Sequence, residues 1–222
     1  MIYKNCIKRV IDIVLSLAFI MILSPLFLVI AIVVRMQMGS PILFSQERIG
    51  RNEKIFRLYK FRSMTNEKDA NGQLLPDEQR LTKFGIFLRS SSLDELPELF
   101  MVLKGDMSLV GPRPQPKQCG PYYTLRERNA HTVRGGLIPP DCITMQVQCD
   151  WDTQLRHEAD YADNCSFLTD LRIVLCMFVI LPKRLKQEYG VDQRPELYEY
   201  RAKMEIPENV RKEWAAKGVQ LE

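Results

Sequence analysis

The hydrophobic pattern is strongest near the N-terminus, where the 22 residues from Ile13 to Val34 carry no charge. As a helix this run would be about 33 Å long, enough to cross a hydrocarbon core of about 30 Å. Ser24-Pro25 stands at its middle, and a proline there removes a backbone hydrogen bond and kinks the helix. The Ser24 hydroxyl can satisfy the carbonyl group that is freed. The pattern therefore predicts a membrane helix with a break.

Basic residues flank this run on both sides. Lys4, Lys8 and Arg9 precede it, and Arg35, Arg48 and Arg51 follow it. Positively charged flanks favour the cytoplasmic side of a membrane, so both ends should face the cytoplasm. A re-entrant helix-break-helix that bends at Ser24-Pro25 and returns through one leaflet satisfies both flanks. A kinked helix that spans the bilayer is the alternative.

The rest of the chain predicts a mixed α/β, helix-rich domain with a small β-hairpin. Extended runs at Pro41–Gln46 and Ile55–Arg62 enclose a Gly50-Arg51-Asn52 turn. The polar residues 65–80 predict a long loop of the kind that acts as a mobile lid. Helical spacing occurs at Leu81–Arg89, Glu95–Leu103, Leu125–Thr132 and Glu158–Leu185. Residues 105–121 are rich in Gly and Pro and predict an irregular segment, with Lys104-Gly105 as a helix-stop signal.

The apolar stretch Ile173–Leu181 has two interpretations. It is too short to span a bilayer, so it is either a core helix or an interfacial amphipathic helix whose basic end meets lipid phosphates. The charged stretch after Gln187 predicts a peripheral tail. The expected organisation is a membrane helix over residues 1–36, a catalytic domain over 37–187 and a charged tail over 188–222.

Composition excludes several classes of protein. A hydrophobic share of 46% with 26% charged residues excludes a disordered chain. Net charge +4 without interleaved basic and aromatic patches argues against nucleic-acid binding. Six cysteines without a CxxC pair, and two histidines, do not form a zinc site and indicate reduced thiols.

The segment Ser92-Leu93-Asp94-Glu95-Leu96-Pro97 is the sharpest local feature. Ser92 and Glu95 have capping-box spacing, and Pro97 requires a helix to begin nearby. Asp94 and Glu95 could therefore be helix caps. Alternatively, adjacent carboxylates can hold a divalent cation or divide nucleophilic and acid–base roles between them.

Basic residues on either side of this pair suggest a phosphate ligand. Lys60 and Arg62 alternate along a predicted strand and should share a face. Arg113 stands between Pro112 and Pro114, which restrict its backbone and preorganise its guanidinium for phosphate. A solvated strand face and a simple loop charge are the alternatives. Together these residues suggest diphosphate chemistry with a metal.

These motifs resemble bacterial sugar transferases, the monotopic phosphoglycosyl transferases, over about residues 1–185. The residues that carry the resemblance are Lys60-Phe61-Arg62-Ser63-Met64, Leu81-Thr82-Lys83-Phe84-Gly85, Leu88-Arg89, Ser92 to Pro97 and Gly105–Pro114. The Ser24-Pro25 break is similar to that family's re-entrant helix. One stretch departs: the family's Pro-Gly-x-Thr-Gly turn after His-x-x-Arg is replaced here by Gly135-Gly136 after His131 to Arg134. The chain is most similar to the small members that consist of the catalytic core.

The resemblance implies a two-step transfer from a UDP-sugar to a polyprenyl phosphate such as undecaprenyl phosphate. Asp94 would attack the sugar-bearing phosphate and release UMP, and the lipid phosphate would then attack the covalent intermediate. Glu95 would hold Mg²⁺ with Asp94 or assist proton transfer. The phosphate-binding residues would be Lys60, Arg62, Arg89 and Arg113. The enzyme would sit in the bacterial inner membrane, contact membrane lipid and face the cytoplasm, as a monomer or a homodimer.

Two other functions compete with this one. A membrane-anchored glycosyltransferase would form a glycosidic bond and release UDP. A non-enzymatic scaffold would only bind a nucleotide sugar, and it would not need the carboxylate pair or Arg113, both of which this chain has.

Overall fold

A computed structural model describes residues 3–186 and 194–220. After a π-helical turn, helix α1 runs from Lys8 to Met38. Helical geometry continues through Pro25, where the sequence predicts a break. The Ser24 hydroxyl donates to the carbonyl of Met21 at 2.9 Å. This carbonyl is four residues before Pro25, so the bond is the substitute predicted for the missing backbone hydrogen bond.

Helix α1 is long and apolar enough to cross a membrane, and only 11% of its most hydrophobic window is buried. Its buried positions are Lys8, Asp12 and Ser16 near one end and Ile30, Val34 and Met38 near the other. The spacings of four and fourteen residues place all six on one helical face. Ser24 and Pro25, between the two sets, are exposed. Both ends of α1 therefore pack on the rest of the chain, and its middle is uncovered.

The predicted β-hairpin is confirmed. Strands β1 (Leu43–Ile49) and β2 (Ile55–Phe61) pair antiparallel, with Leu43 opposite Phe61 and Ile49 opposite Ile55. A short 3-10 turn joins them, with Asn52 at a φ of 55°. Phe61 packs with Ile30 and Val34 of α1, so the hairpin supports the C-terminal end of that helix.

Three short helices follow the hairpin: α2 (Asp77–Arg80), α3 (Lys83–Ser90) and α4 (Glu98–Lys104). The last two confirm the helices predicted around residues 81–103. Thr82 caps α3 by accepting from the backbone N–H of Gly85 at 2.9 Å. Gly105, at a φ of 100°, ends α4 as the stop signal predicts. The long polar loop contains α2 and one isolated β-bridge, between Lys68 and Leu74, and a second bridge, between Met64 and Leu81, joins its two ends.

A second sheet replaces part of the segment that was predicted to be irregular. Strands β3 (Met107–Val110) and β4 (Gly135–Ile138) pair in parallel. Four-residue strands are too short to show a period, which is why the pattern missed them. The predicted helix Leu125–Thr132 is a 3-10 helix, Glu127–Thr132.

The predicted helix Glu158–Leu185 is instead two helices, α5 (Trp151–Asp163) and α6 (Phe167–Lys186). Helix α6 buries Ile173, Cys176 and Ile180 in a core cluster. Its other side leaves Leu168, Leu171, Leu175 and Phe178 exposed. The apolar stretch is therefore a core helix that also presents an uncovered apolar stripe.

The prediction of a peripheral tail is wrong for residues 194–220. Helices α7 (Leu197–Tyr200) and α8 (Glu208–Ala216) bring Leu197 and Trp214 into a core cluster with Trp151. Both side chains are fully buried. The Trp214 ring lies where a Cβ on Gly120 would be, 2.2 Å from the ideal position. The apolar residues of this charged stretch are isolated in the sequence, so they show no periodic signal.

Candidate active site

Asp94 and Glu95 lie in a 3-10 turn, Leu93–Glu95, between α3 and α4. The predicted capping box does not form: Ser92 has a left-handed backbone with φ 57°, and its buried hydroxyl has no hydrogen-bond partner among the described residues. Helix α4 instead begins at Glu98, with Pro97 as its N-cap residue. Asp94 and Glu95 are each 8% exposed. Burying two adjacent carboxylates is costly without compensating cations.

Two of the predicted cations converge on Glu95. The Lys60 ammonium lies 2.6 Å from Glu95 Oε1, and an Arg113 guanidinium nitrogen lies 2.9 Å from the same oxygen. Lys60 also lies 3.4 Å from Glu98 Oε1, one turn further along the chain. The hairpin supplies Lys60, and the loop after β3 supplies Arg113. The fold thus joins residues that are distant in sequence into one charge cluster.

The two adjacent carboxyl groups have opposite electrostatic environments. Burial and the neighbouring Glu95 charge raise the pKa of Asp94 to about 6, against the opposing effect of Lys60, Arg89 and Arg113. Burial alone would raise the pKa of Glu95, but Lys60 and Arg113 outweigh it and hold that pKa well below its ordinary range. Among the described residues, none donates a hydrogen bond to Asp94. Separated pKa values in one pair of carboxyl groups are typical of divided catalytic roles.

Arg89 lies beside the cluster and Arg62 does not join it. Arg89 donates from Nε to the Ser63 hydroxyl at 2.9 Å, and its charge lowers the pKa of Asp94. Strand β2 ends at Phe61, so Arg62 does not continue the face of Lys60. Its guanidinium donates to the carbonyls of Met38 at 2.7 Å and Pro41 at 2.8 Å. Arg62 thus holds the C-terminal end of α1.

The loop that carries Arg113 is held on several sides. Gly111 N–H donates to Ile138 O at 3.1 Å, and Gly136 N–H donates to Pro112 O at 2.8 Å. A Cβ on Gly136 would lie 2.0 Å from the nitrogen of Gly111, so only glycine permits this approach. The Gly135-Gly136 sequence, which departs from the family pattern, therefore lets β4 pack directly against the loop.

Two residues of the site were missed from sequence. Arg48, which the sequence places in the basic flank of the membrane helix, donates from Nη1 to Pro114 O at 3.0 Å. Burial raises the pKa of Glu98 to about 7. Its position three residues after Glu95, on one helical turn, is the signal that could have identified it. The cleft that results is lined by Arg48, Leu58, Lys60, Glu95, Glu98, Arg113 and Gly136.

The described residues contain no group of three or more His, Cys, Asp or Glu side chains arranged to hold a metal ion. Mg²⁺ is usually held by one or two carboxylates together with substrate phosphates. The donor set at Asp94 and Glu95 fits that arrangement once a diphosphate is bound.

Sequence comparison decides the family. A model of the family described as "Bacterial sugar transferase" matches residues 3–184. The chain belongs to the bacterial sugar transferase family. Membership confirms the resemblance read from the motifs, and it makes the chain a transferase enzyme.

Individual relatives give a more detailed picture. The uncharacterized sugar transferase EpsL of Bacillus subtilis (strain 168) is 43% identical over 173 residues, which are 78% of this chain and 85% of the relative. The UDP-N-acetylgalactosamine-undecaprenyl-phosphate N-acetylgalactosaminephosphotransferase of Aeromonas hydrophila is 36% identical over 76% of this chain and 42% of its own length. The UDP-glucose:undecaprenyl-phosphate glucose-1-phosphate transferase of Xanthomonas campestris pv. campestris is 35% identical over 76% of this chain and 37% of its own length. The chain thus spans less than half of these two longer relatives.

Proposed function

We propose that this chain is a phosphoglycosyl transferase that moves a sugar phosphate from a UDP-sugar to a polyprenyl phosphate and releases UMP. The observation that carries the proposal is the buried Asp94-Glu95 pair, with Lys60 and Arg113 both bound to Glu95. Relatives that act on undecaprenyl phosphate support the choice of acceptor. The reaction would be the first membrane step in the synthesis of a surface glycan.

In the first step the Asp94 carboxylate attacks the phosphorus that bears the sugar. A bond forms between the aspartate oxygen and phosphorus, and the bond from phosphorus to UMP breaks with its electron pair on UMP. No described residue donates a hydrogen bond to Asp94, so its lone pairs remain available. Lys60, Arg89 and Arg113 lie close enough to its charge to neutralise the developing negative charge on the phosphates.

In the second step an oxygen of the lipid phosphate attacks the aspartyl phosphate. Asp94 leaves as a carboxylate, and the product is a polyprenyl-diphosphate-sugar. Glu95 remains ionised in both steps and orients Lys60 and Arg113. Asp94 and Glu95 are the residues that would hold Mg²⁺ with the phosphates, and a bound ion would add to the neutralisation of the diphosphate.

The packing of α1 supports a re-entrant membrane helix. Arg9 donates to the carbonyls of Val102 and Leu103 in α4, and the Phe27 ring lies 5.6 Å from the ring of Phe100 in the same helix. Eighteen residues of straight helix would separate Arg9 and Phe27 by about 27 Å, whereas seven-residue α4 is only about 10 Å long. Contacts with one short helix from both halves of α1 favour a bend.

The position of Pro25 is consistent with this bend. Nine residues after Ser16 correspond to two and a half turns, which places Pro25 opposite the buried face of α1. A proline ring clashes with the preceding turn on its own side and opens the helix there. Both ends of α1 would then incline toward the domain and leave the membrane on the cytoplasmic side. The exposed apolar stripe of α6 would lie in the same interface.

A product assay tests the proposed function. The full chain in detergent or vesicles is incubated with a panel of UDP-sugars and polyprenyl phosphate, and UMP and UDP are quantified separately. UMP with at least one sugar is expected. Asp94→Asn should abolish it, whereas Asp163→Asn, a surface carboxylate paired with Arg126, should not. Release of UDP would instead indicate a glycosyltransferase, and binding without any product would indicate a scaffold.

A further inference from the structure

The C-terminal segment, residues 194–220, lies beyond the part of the chain that matches the family, which ends at residue 184. It is nevertheless firmly docked. Arg194 places its guanidinium 3.7 Å from the centre of the Trp151 ring and donates to the carbonyl of Cys149 at 2.7 Å. The Trp151 indole N–H donates in return to Pro195 O at 2.9 Å. The start of the segment is thus fixed against the first turn of α5.

A continuous hydrogen-bond chain leads from this segment to the active-site loop. Arg194 donates from Nη2 to Gln154 Oε1 at 3.0 Å. The Gln154 amide nitrogen donates to Glu158 Oε1 at 2.8 Å, and the backbone N–H of Arg113 donates to the same oxygen at 3.2 Å. Gln154 and Glu158 are 3% and 1% exposed, so water does not compete for these bonds.

The last hydrogen bond of this series, from the Arg113 N–H to Glu158, constrains the loop strongly. Proline has no backbone N–H, so Arg113 supplies the only backbone donor within Pro112-Arg113-Pro114. Glu158 accepts the hydrogen bond from that single donor. Burial raises the pKa of Glu158 to about 8, so the carboxyl group is mostly neutral at pH 7 and needs no counter-ion inside the domain.

We infer that the C-terminal segment positions Arg113 for the donor diphosphate through Arg194, Gln154 and Glu158. These three are positioning residues, because they act through Arg113 and do not touch the reacting atoms. The inference rests on the proposed function, in which Arg113 contacts the diphosphate. The inference gives a role in the active site to residues that lie outside the region matched by the family model.

The first test compares two arginine substitutions in the same segment. Arg194→Ala removes the start of the hydrogen-bond chain, whereas Arg211→Ala removes a guanidinium that donates to the nearby Ile206 carbonyl. We expect Arg194→Ala to lower kcat/KM for the UDP-sugar roughly 10-fold, since small misplacements of a catalytic group are costly. KM for the polyprenyl phosphate should not change. Arg211→Ala should match the wild type.

A double-mutant cycle separates positioning from general destabilisation. In an Arg113→Ala background, Arg194→Ala should have no further effect on kcat/KM, because its influence passes through the missing side chain. Glu158→Gln keeps an acceptor oxygen for the Arg113 N–H and should retain most activity, whereas Glu158→Leu should lose about as much as Arg194→Ala. All assays are run below the lowest melting temperature of the set.

The outcomes distinguish the two proposals. A wild-type chain that releases no UMP defeats the proposed function. An active wild type in which Arg194→Ala equals Arg211→Ala, or in which losses from Arg194→Ala and Arg113→Ala add fully, overturns the positioning role alone.

Discussion

At the scale of single residues, neighbouring charges support the different roles proposed for Asp94 and Glu95. Lys60 and Arg113 bind Glu95 directly, so this carboxylate stays ionised and serves as their anchor. Among the described residues, Asp94 has no such partner, and its pKa is raised. An ionised carboxylate with a raised pKa is the better nucleophile, so the side chain with fewer bonds is the one suited to attack.

This arrangement predicts an acid limb in the pH profile. Asp94 must be ionised to attack, and its pKa is raised to about 6. Activity should therefore be present above this pH and fall as the pH drops through it, measured as kcat/KM for the UDP-sugar. Lys60→Met removes a charge that lowers this pKa, so the limb should move to higher pH. Undiminished kcat/KM down to pH 4.5 would contradict the assignment.

The carboxylate pair also predicts dependence on a divalent cation. Excess EDTA should stop UMP release and added Mg²⁺ should restore it, because Asp94, Glu95 and the phosphates would share the ion. Parallel samples treated with EDTA already saturated with Mg²⁺ control for effects of the chelator itself. Full turnover in excess EDTA would show that Lys60, Arg89 and Arg113 neutralise the diphosphate without a metal.

At the scale of elements, labelling of the two flanks of α1 tests its proposed membrane topology. Cys6 precedes the apolar run and is exposed, and Met36 follows it with 80% exposure. A variant with Cys6 as its sole cysteine, and a second with only Met36→Cys, report on the two flanks. Both should resist a membrane-impermeant maleimide in intact cells and react after lysis. Labelling of one flank alone would mean that α1 spans the membrane.

Replacing the proline tests the cause of the bend. Pro25→Ala restores a backbone hydrogen bond to Met21 O, so α1 should straighten and part of the population should span the membrane. Cys6 should then become partly accessible from outside the cell. Ser24→Ala, which removes a side chain and keeps the proline, is the matched control and should leave Cys6 protected.

The elements with clear periods or turn signals are the ones that could be predicted from the sequence. The apolar run of α1, the β1–β2 hairpin and the α3–α4 pair have clear periods or turn signals, and the structure contains all of them. The sequence could assign Lys60, Glu95 and Arg113 to one candidate site, because each of them lies in a recognisable motif. Strands β3 and β4 could not be predicted, because strands of four residues are too short to show alternation. The prediction that Arg62 shares a strand face with Lys60 is wrong, because β2 ends at Phe61 and its alternation does not extend to Arg62.

At the scale of the whole molecule, the C-terminal segment is part of the fold. Trp214 is fully buried against a glycine and packs in the cluster with Trp151. Trp214→Ala should lower the free energy of unfolding by about 3–5 kcal/mol, as truncation of a buried tryptophan usually does. Chemical denaturation in detergent measures this, with Tyr200→Ala, a 48% exposed side chain of the same segment, as control. Equal midpoints for the two variants would contradict the packing.

Intact-mass measurement reports directly on the covalent intermediate proposed at Asp94. The wild-type chain is incubated with its UDP-sugar and no lipid phosphate. The mass should increase by one sugar phosphate, with a matching burst of UMP, and peptide mapping should locate the addition at Asp94. Polyprenyl phosphate should then remove it, and Asp94→Asn should never acquire it. A chain that turns over with lipid phosphate but shows no adduct without it, or an Asn variant that remains active, would contradict the covalent mechanism.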